Sequence, residues 1–501
     1  MLRGGGVNPV LALVLLYNIV VIGGIGLYLS RRERQTSSVA DLATGGRNAG
    51  LAMFSVTLAI TYLGSAHVYG LMEMSFGLGA VALWFCFAHT ILMCVICLGT
   101  GPWVRRLNCA TIPELVGRMY GPQMRTYVAC IGAMVVFGLV TLETQTLGIG
   151  IAAISGWPLG WSAVVGAVLG TAYVTLGGIK QTMWVNLVNA VVMYGSIIIA
   201  GAYLGFVLPE GWEGVREHYV GRGEEFKLSV FGTPDLMVGF ALAAIFSVVF
   251  SQSVNQQGMA AAMSARDEQV IRRSLWIAAP INGLFGVFPV LCGLAAATIP
   301  DFAQLGPKLA AATMIVELLP TWLVVLLQAG FLGALLSTFA MSALAPATIF
   351  TKDIVGANVG GGLSPVQERN LIRRVILIVG ALAALLTFFN QPNVIQAITW
   401  LFAWLAPLFF VIVAGLFWKR SVAAAFAVVL CSWVINCAWS VAPLKRFIVD
   451  LIPAFNALEN AHISALVAFL MTLLLFGLAR SSEPALFRPL ALGASAAENR
   501  L

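Results

Sequence analysis

The sequence predicts an all-α polytopic membrane protein of about thirteen transmembrane helices, and three observations carry that prediction. Of its 501 residues, 60% are hydrophobic and only 10% charged, whereas soluble domains are nearer half apolar and a quarter charged. Apolar runs long enough to span a bilayer recur along the whole chain, and mean hydropathy reaches +0.92. Basic residues collect in alternate loops, the pattern that orients helices in a membrane. The net charge of +7 forms no basic domain, so nucleic acid is not an expected partner.

Apolar runs bounded by charges or turn residues fall near Val7–Tyr28, Leu51–Gly70, Leu78–Leu98, Thr126–Ile154, Trp157–Leu176, Met183–Leu208 and Leu236–Val254. Six more lie near Leu275–Ile299, Thr321–Phe350, Val375–Phe389, Ile395–Trp418, Ser421–Val441 and Ala461–Ala479. The first is too long for the apolar core of a cleaved signal and is followed by Arg31, Arg32 and Arg34 as a stop-transfer flank. The basic loops hold Arg31–Arg34 and Arg47, then Arg105, Arg106, Arg118 and Arg125, then Lys180. Further along, Arg266, Arg272 and Arg273, then Lys352, Arg369, Arg373 and Arg374, then Lys419 and Arg420, fall on the same side. The intervening loops are acidic or nearly uncharged, Pro209–Asp235 being the longest. An odd number of spans therefore places the N-terminus outside and the C-terminus, with Arg480 and Arg488, inside. Most of the eight cysteines sit in apolar runs, and Cys94-x-x-Cys97 has no second pair or nearby His to complete a metal site. They read as small packing residues.

Polar side chains inside spans are costly and therefore mark function. The run Thr57–Gly70 holds Thr57, Thr61, Tyr62, Gly64, Ser65, His67, Tyr69 and Gly70 in one span. That density suggests an interrupted helix whose freed backbone groups line a cavity; the alternative is that Gly64 and Ser65 only let two helices approach. A second cluster, Ser337, Thr338, Ser342 and Thr348, follows Gly330 and Gly333. Adjacent hydroxyls with free carbonyls would make a hard oxygen site for an alkali cation, or each hydroxyl simply bonds its own preceding turn. Glu143 is the one carboxylate deep in the fourth run and must be neutral, paired or facing water. It reads equally as a structural acid or as a substrate or proton group. His89 reads as a packed, satisfied histidine, while His67 shares the interrupted segment. Arg and Lys are absent from span interiors, so an anionic substrate would need a half-helix N-terminus. No H-E-x-x-H, G-x-S-x-G or Walker loop is present, and the glycines of Gly356–Gly362 precede no GK[ST], so neither an enzyme nor an ATP-driven pump is expected.

These residues also carry a resemblance. GGRNAG (Gly45–Gly50), TIPELVGRMYG (Thr111–Gly121), TLGGIKQTMWVN (Thr175–Asn186) and QQGMAAAMSARDEQVIRRS (Gln256–Ser274) resemble, in order, stretches of the sodium:solute symporter family. GFLGALLSTFAMSALAPATIFTKDI (Gly330–Ile354) and LFWKR (Leu416–Arg420) complete the series. The resemblance implies a leucine-transporter-like core of two inverted five-helix repeats, at 51–208 and 236–418. These would be flanked by an N-terminal helix and inside loop (1–50), an external loop (209–235) and C-terminal helices with a short tail (419–501). It also implies alternating access with Na+ bound by the carbonyls of Ile60, Leu63 and Ala334 and the hydroxyls of Ser337 and Thr338. The chain departs from the family pattern at Tyr62, where the proline symporter has an acid, and at Asn186, where the family has Asp; a second sodium is therefore not expected. Ala66 and His67 replace the substrate positions of sugar and proline members. The expectation is sodium-coupled uptake of a small organic solute through the lipid bilayer of a bacterial inner membrane, with no obligatory protein partner. Thr61, Tyr62, Ser65, His67, Glu143, Gln145, Gln252 and Asn255 are the candidate solute contacts. A proton-coupled carrier using Glu143 or His67, or a transporter-like sensor, are the alternatives.

Overall fold

The computed structural model describes residues 8–32, 49–109, 111–176, 179–357, 362–480 and 482–487. Val7, Arg34, Gly45–Asn48, Gly177, Gly178, Asn358–Gly361 and Arg488, used above, lie outside the described residues, as do the side chains of Arg31, Arg32 and Lys180. Helices account for nearly all of the described residues, and among them, in chain order, are α1 (Pro9–Arg32), α2 (Leu51–Thr61), α3 (Leu71–Leu78), α4 (Trp84–Val95), α5 (Pro122–Ser155), α6 (Leu159–Leu176) and α7 (Ile179–Val207). There follow α8 (Ala243–Ser247), α9 (Gln256–Ser264), α10 (Glu268–Phe285), α11 (Val287–Thr298), α12 (Ala310–Leu318), α13 (Thr321–Ile349) and α14 (Pro365–Phe389). The last are α15 (Val394–Ala403), α16 (Ala406–Phe417), α17 (Val422–Ser440) and α18 (Asn460–Leu478). Among the described residues, eleven helical stretches are long and apolar enough to cross a membrane, and Leu51–Thr61 and Leu159–Thr175 are shorter apolar helices.

Burial sorts these helices into a centre and a periphery. The apolar stretch of Thr321–Val355 is 89% buried, against 17% for Pro9–Tyr28 and 28% for Pro365–Phe389. Helix α13 is thus the central post, packed on α5, α6, α7 and α1. Its small residues permit this: a Cβ on Gly330 would lie 3.0 Å from the Met193 backbone, and one on Gly333 would meet the Asn189 amide. Several helices begin before their apolar runs, because polar caps start them outside the hydropathy window. Asp267 accepts from Val270 N (2.8 Å) ahead of α10, and Ser364 forms a capping box with Gln367 ahead of α14.

Two interruptions matter for function. Helix α2 stops at Thr61, residues Tyr62–Ser65 belong to no helix, and a π turn at Ala66–Gly70 leads into α3. The interruption expected in this run is therefore present, although the run continues to Leu78 instead of ending at Gly70. Gly79 then turns the chain at φ +83°, where a Cβ would run into the Lys227 backbone. The second interruption, Ser253–Asn255, lies between a π turn at Val248–Gln252 and α9. Sequence reading missed it because Gln252, Ser253, Asn255, Gln256 and Gln257 look like an exit into a polar loop. Instead these residues are buried, and α9 packs alongside α2. A bridge between Ala49 and Ala265 ties the two segments at one end. A short antiparallel ribbon pairs Lys419–Arg420 with Glu483–Pro484.

Candidate functional site

A helix that stops inside the protein leaves backbone carbonyls without partners, and the end of α2 recruits them from neighbouring helices. Ala59 O accepts from Asn282 Nδ2 (3.0 Å) on α10, and Thr61 O from Gln257 Nε2 (3.3 Å) on α9. Ile60 O accepts from Leu63 N (2.9 Å) and lies 3.5 Å from Thr338 Oγ1 on α13. Thr338 Oγ1 is also 3.0 Å from Ala334 O, to which Ser337 Oγ donates at 2.8 Å. Ile60, Ala334, Ser337 and Thr338 therefore meet at one buried oxygen-rich junction, with Leu63 joined through its N–H. The hydroxyls do bond their own preceding turn, yet Thr338 faces a second helix end as well.

On the other side of the break, the first free N–H is answered by Glu143 from α5. Ser65 N lies 3.1 Å from both carboxylate oxygens, and Ser65 Oγ donates to Oε1 at 2.9 Å. Gly64 is the spacer that makes this possible. A Cβ there would collide with Glu143 Oε1 and approach Thr338 Cγ2 to 2.6 Å.

Between these groups lies a small polar cavity lined by Thr61, Tyr62, Ser65, His67, Glu143 and Gln252 among the sequence candidates. It offers about 30 Å³ to the centres of water-sized molecules, room for a few waters. Thr338 and Ser342 form part of the wall, with Gln257, Phe85, Ile398 and Phe402, none of which was a candidate solute contact. Only tertiary packing brings those last four to the break. His67 and His89 pack edge to face with centroids 4.3 Å apart. His89 contacts Phe85 O through Nδ1 (2.8 Å) and the Gln252 amide through Nε2 (2.8 Å), so both ring nitrogens are used. Tyr62 donates to Gln252 O at 3.3 Å, in space that a Cβ on Gly258 would fill. Thr61 Oγ1, His67 Nε2 and Ser342 Oγ remain buried without a hydrogen-bond partner.

Two sequence candidates lie elsewhere. Gln145 donates to Pro392 O at 2.9 Å in the loop before α15. Asn255 caps α9 by accepting from Gln257 N (3.2 Å), next to a second, mostly apolar cavity.

Two buried carboxylates that the sequence reading did not single out tie the bundle on either side of this cavity. Glu73 on α3 pairs with Lys308 (2.8 Å) and accepts from Val394 N (3.1 Å) at the start of α15. Lys308 also reaches Pro392 O at 2.8 Å. Asp353, fully buried beyond α13, pairs with Arg125 (2.7 Å) and accepts from Thr111 Oγ1 (3.0 Å).

A helical bundle built around two interrupted helices, with a small, partly polar cavity at the breaks, is the architecture of a secondary membrane transporter. The chain belongs to the sodium:solute symporter family, which it matches over residues 43–430. It is 22% identical over 440 residues to the sodium/glucose cotransporter of Vibrio parahaemolyticus, covering 80% of each chain. It is 23% identical over 464 residues to a high-affinity proline transporter of Bacillus subtilis, covering 85% of this chain and 91% of that one. Its fold matches that of a Na+-coupled sialic acid symporter solved in a substrate-bound outward-open state, with a TM-score of 0.79 at 15% identity over 95% of this chain and 98% of that one. The protein is accordingly an integral membrane protein of a sodium-coupled transporter family.

Proposed function

We propose that this protein imports a small organic solute by sodium symport through alternating access, in the inner membrane of a bacterium. The observation that carries this reading is the junction of Ile60, Ala334, Ser337 and Thr338, where oxygens of α2 and α13 meet beside a break. With the Leu63 carbonyl they would supply five oxygens, a donor set suited to an alkali cation and without a soft ligand. Thr61, Tyr62, Ser65, His67, Glu143 and Gln252 would face the solute; Gln145 and Asn255, engaged with Pro392 and α9, drop out of that set.

The reading takes the chain as thirteen crossings, with α2 and α3 forming one interrupted span and α8 through α9 another. Residues 51–208 and 236–418 are the two inverted repeats. The N-terminus is outside and the C-terminus inside. Ion pairing of Arg106 with Glu268 (3.0 Å) and the Ala49–Ala265 bridge support grouping those loops on the inner side. Glu73 with Lys308 and Val394 would then close the outer path, and Asp353 with Arg125 and Thr111 the inner one. One charge crossing 100 mV yields ~2.3 kcal/mol, and a tenfold sodium gradient adds ~1.4 kcal/mol. Together they support roughly 500-fold accumulation of a neutral solute at one sodium per solute.

Uptake into vesicles containing only this protein tests the reading, with Ser337→Ala/Thr338→Ala as the variant. Solute accumulation should need sodium, and the variant should need far more of it at equal protein content. Unchanged sodium dependence removes the site assignment. Uptake driven by a pH gradient without sodium would favour proton coupling, and ligand binding without accumulation would mark a sensor.

A further inference from the structure

We propose that residues 482–487 form a strap that holds the inner face of the carrier closed, so that freeing this short segment favours inward opening. The inference rests on the orientation in the symport reading above and adds a regulatory element to it. Beyond α18 this segment runs back along the turn between α16 and α17, where Glu483–Pro484 pair with Lys419–Arg420 as an antiparallel ribbon. Arg420 adds an ion pair to Glu483 (2.9 Å) and donates from Nε to Pro484 O (2.8 Å). A helix ends in carbonyls that lack partners within the helix. Here the segment supplies them: Leu486 N donates to Gly415 O (3.0 Å) and Phe487 N to Leu416 O (2.9 Å), in the last turn of α16.

The other end of the strap reaches across to the first repeat. The Phe487 ring packs on Phe417 with centroids 5.7 Å apart, and Phe417 packs edge to face on Trp103 at 4.9 Å. The Arg106 guanidinium lies 5.7 Å over the same Phe487 ring. Half-buried Phe487 is thus held between α16 and the helix Gly101–Leu107. Next to both lies the short helix Ile112–Tyr120. Its Arg118 donates to Leu107 O (3.0 Å), and its Tyr120 donates to Val411 O of α16 (2.7 Å). Gly415 makes room for that tyrosine, since a Cβ there would lie 2.5 Å from the hydroxyl. The start of the same helix, Ile112 and Pro113, lines the second cavity with Val254 and Asn255 of the second interruption. Opening this cavity to the inner face would part Ile112–Tyr120 from α16. Alternating access moves one repeat against the other, and the strap is fastened to both.

The test uses the full chain with its eight cysteines replaced and Val254→Cys, at a buried position on the second cavity, as reporter. A membrane-impermeant maleimide is added to inverted membrane vesicles, which present the inner face. Leu486→Pro removes the N–H that Gly415 O accepts from. Phe487→Ala removes the ring that meets Phe417 and Arg106, and Phe487→Tyr keeps it. Reporter labelling should quicken about threefold or more in Leu486→Pro and in Phe487→Ala, and stay within about twofold of the parent in Phe487→Tyr. The double variant Leu486→Pro/Phe487→Ala should label no faster than the faster single variant, because freeing either end frees the strap. Two unrelated structural losses would instead multiply their effects. Parent-like labelling in both single variants, or rates that multiply in the double variant, overturns the strap alone. Labelling of the parent from the outer face of right-side-out vesicles, with none from the inner face in any variant, removes the orientation in the symport reading, and the strap with it.

Discussion

Gly64→Ala is the most searching single perturbation of the proposed site, because it adds one methyl between Glu143 and Thr338. Gly64 does not adopt a left-handed φ, so alanine is conformationally permitted and the effect is steric. Its carbonyl accepts from His67 N (3.0 Å) and Val68 N (3.3 Å), which anchors the backbone on the side of the second half-helix. The new Cβ would collide with Glu143 Oε1, and would lie 2.6 Å from Thr338 Cγ2 and 3.1 Å from Glu143 Cδ. Relief requires Glu143 to leave Ser65 or Thr338 to leave Ile60. Overpacking of this kind costs about 1–3 kcal/mol, and weakening a charged hydrogen bond about 1.5–3 kcal/mol more. Reduced freedom of the unfolded chain returns only about 0.4–1 kcal/mol. The net loss is therefore roughly 2–5 kcal/mol, and sodium affinity should fall about tenfold or more because Thr338 is one of the two groups displaced. Differential scanning fluorimetry across a sodium titration reads both quantities. Gly195→Ala is the control, since a Cβ there meets nothing within 4 Å and it lies within a helix; its stability should be unchanged or slightly higher. If Gly64→Ala melts and binds sodium as wild type does, the close stacking of Glu143, Gly64 and Thr338 is refuted.

The remaining predictions concern the flanking ties and the demoted candidates. Lys308→Met leaves Glu73 buried with the Val394 N–H but no cation, at a cost of about 1.5–3 kcal/mol borne only by the state in which the tie is made. In a cysteine-free background, Ser342→Cys should then react faster with a membrane-impermeant thiol reagent added outside; an unchanged rate removes the outer-tie assignment. Arg125→Leu strands fully buried Asp353 and should cost about 3 kcal/mol, much of it regained in Arg125→Leu/Asp353→Asn; strict additivity in that double-mutant cycle would contradict the pairing. Gln145→Ala should change the solute KM less than about threefold, since its amide bonds Pro392 O outside the cavity. A larger KM effect would return Gln145 to the solute site.

What the residues alone determined is the part governed by lipid. Apolar length and basic loops locate the helices, though not the ends that polar caps extend beyond the apolar runs, because a buried backbone in hydrocarbon leaves few alternatives to helix. The interruption at Tyr62–Ser65 was legible for the same reason: Thr61, Tyr62, Gly64 and Ser65 are polar or small where lipid demands apolar bulk. The pairing of Ser337 and Thr338 with Ile60 came from a family pattern; of the two, Thr338 lies 3.5 Å from the Ile60 carbonyl. Tertiary structure decided the rest. The second interruption at Ser253–Asn255 was hidden because its amides resemble a loop until neighbouring helices bury them. Glu143 and Gln145 sit two residues apart on one helix, so they face different partners, Ser65 and Pro392, and only packing reveals which faces the cavity. Glu73 and Asp353 passed as ordinary charges near span ends, since nothing local marks a carboxylate whose cation arrives from a distant loop. Hydropathy is a property of a segment, whereas hydrogen-bond satisfaction is a property of the whole fold. The helices were accordingly written in the sequence, and the chemistry at their breaks was set by what packs against them.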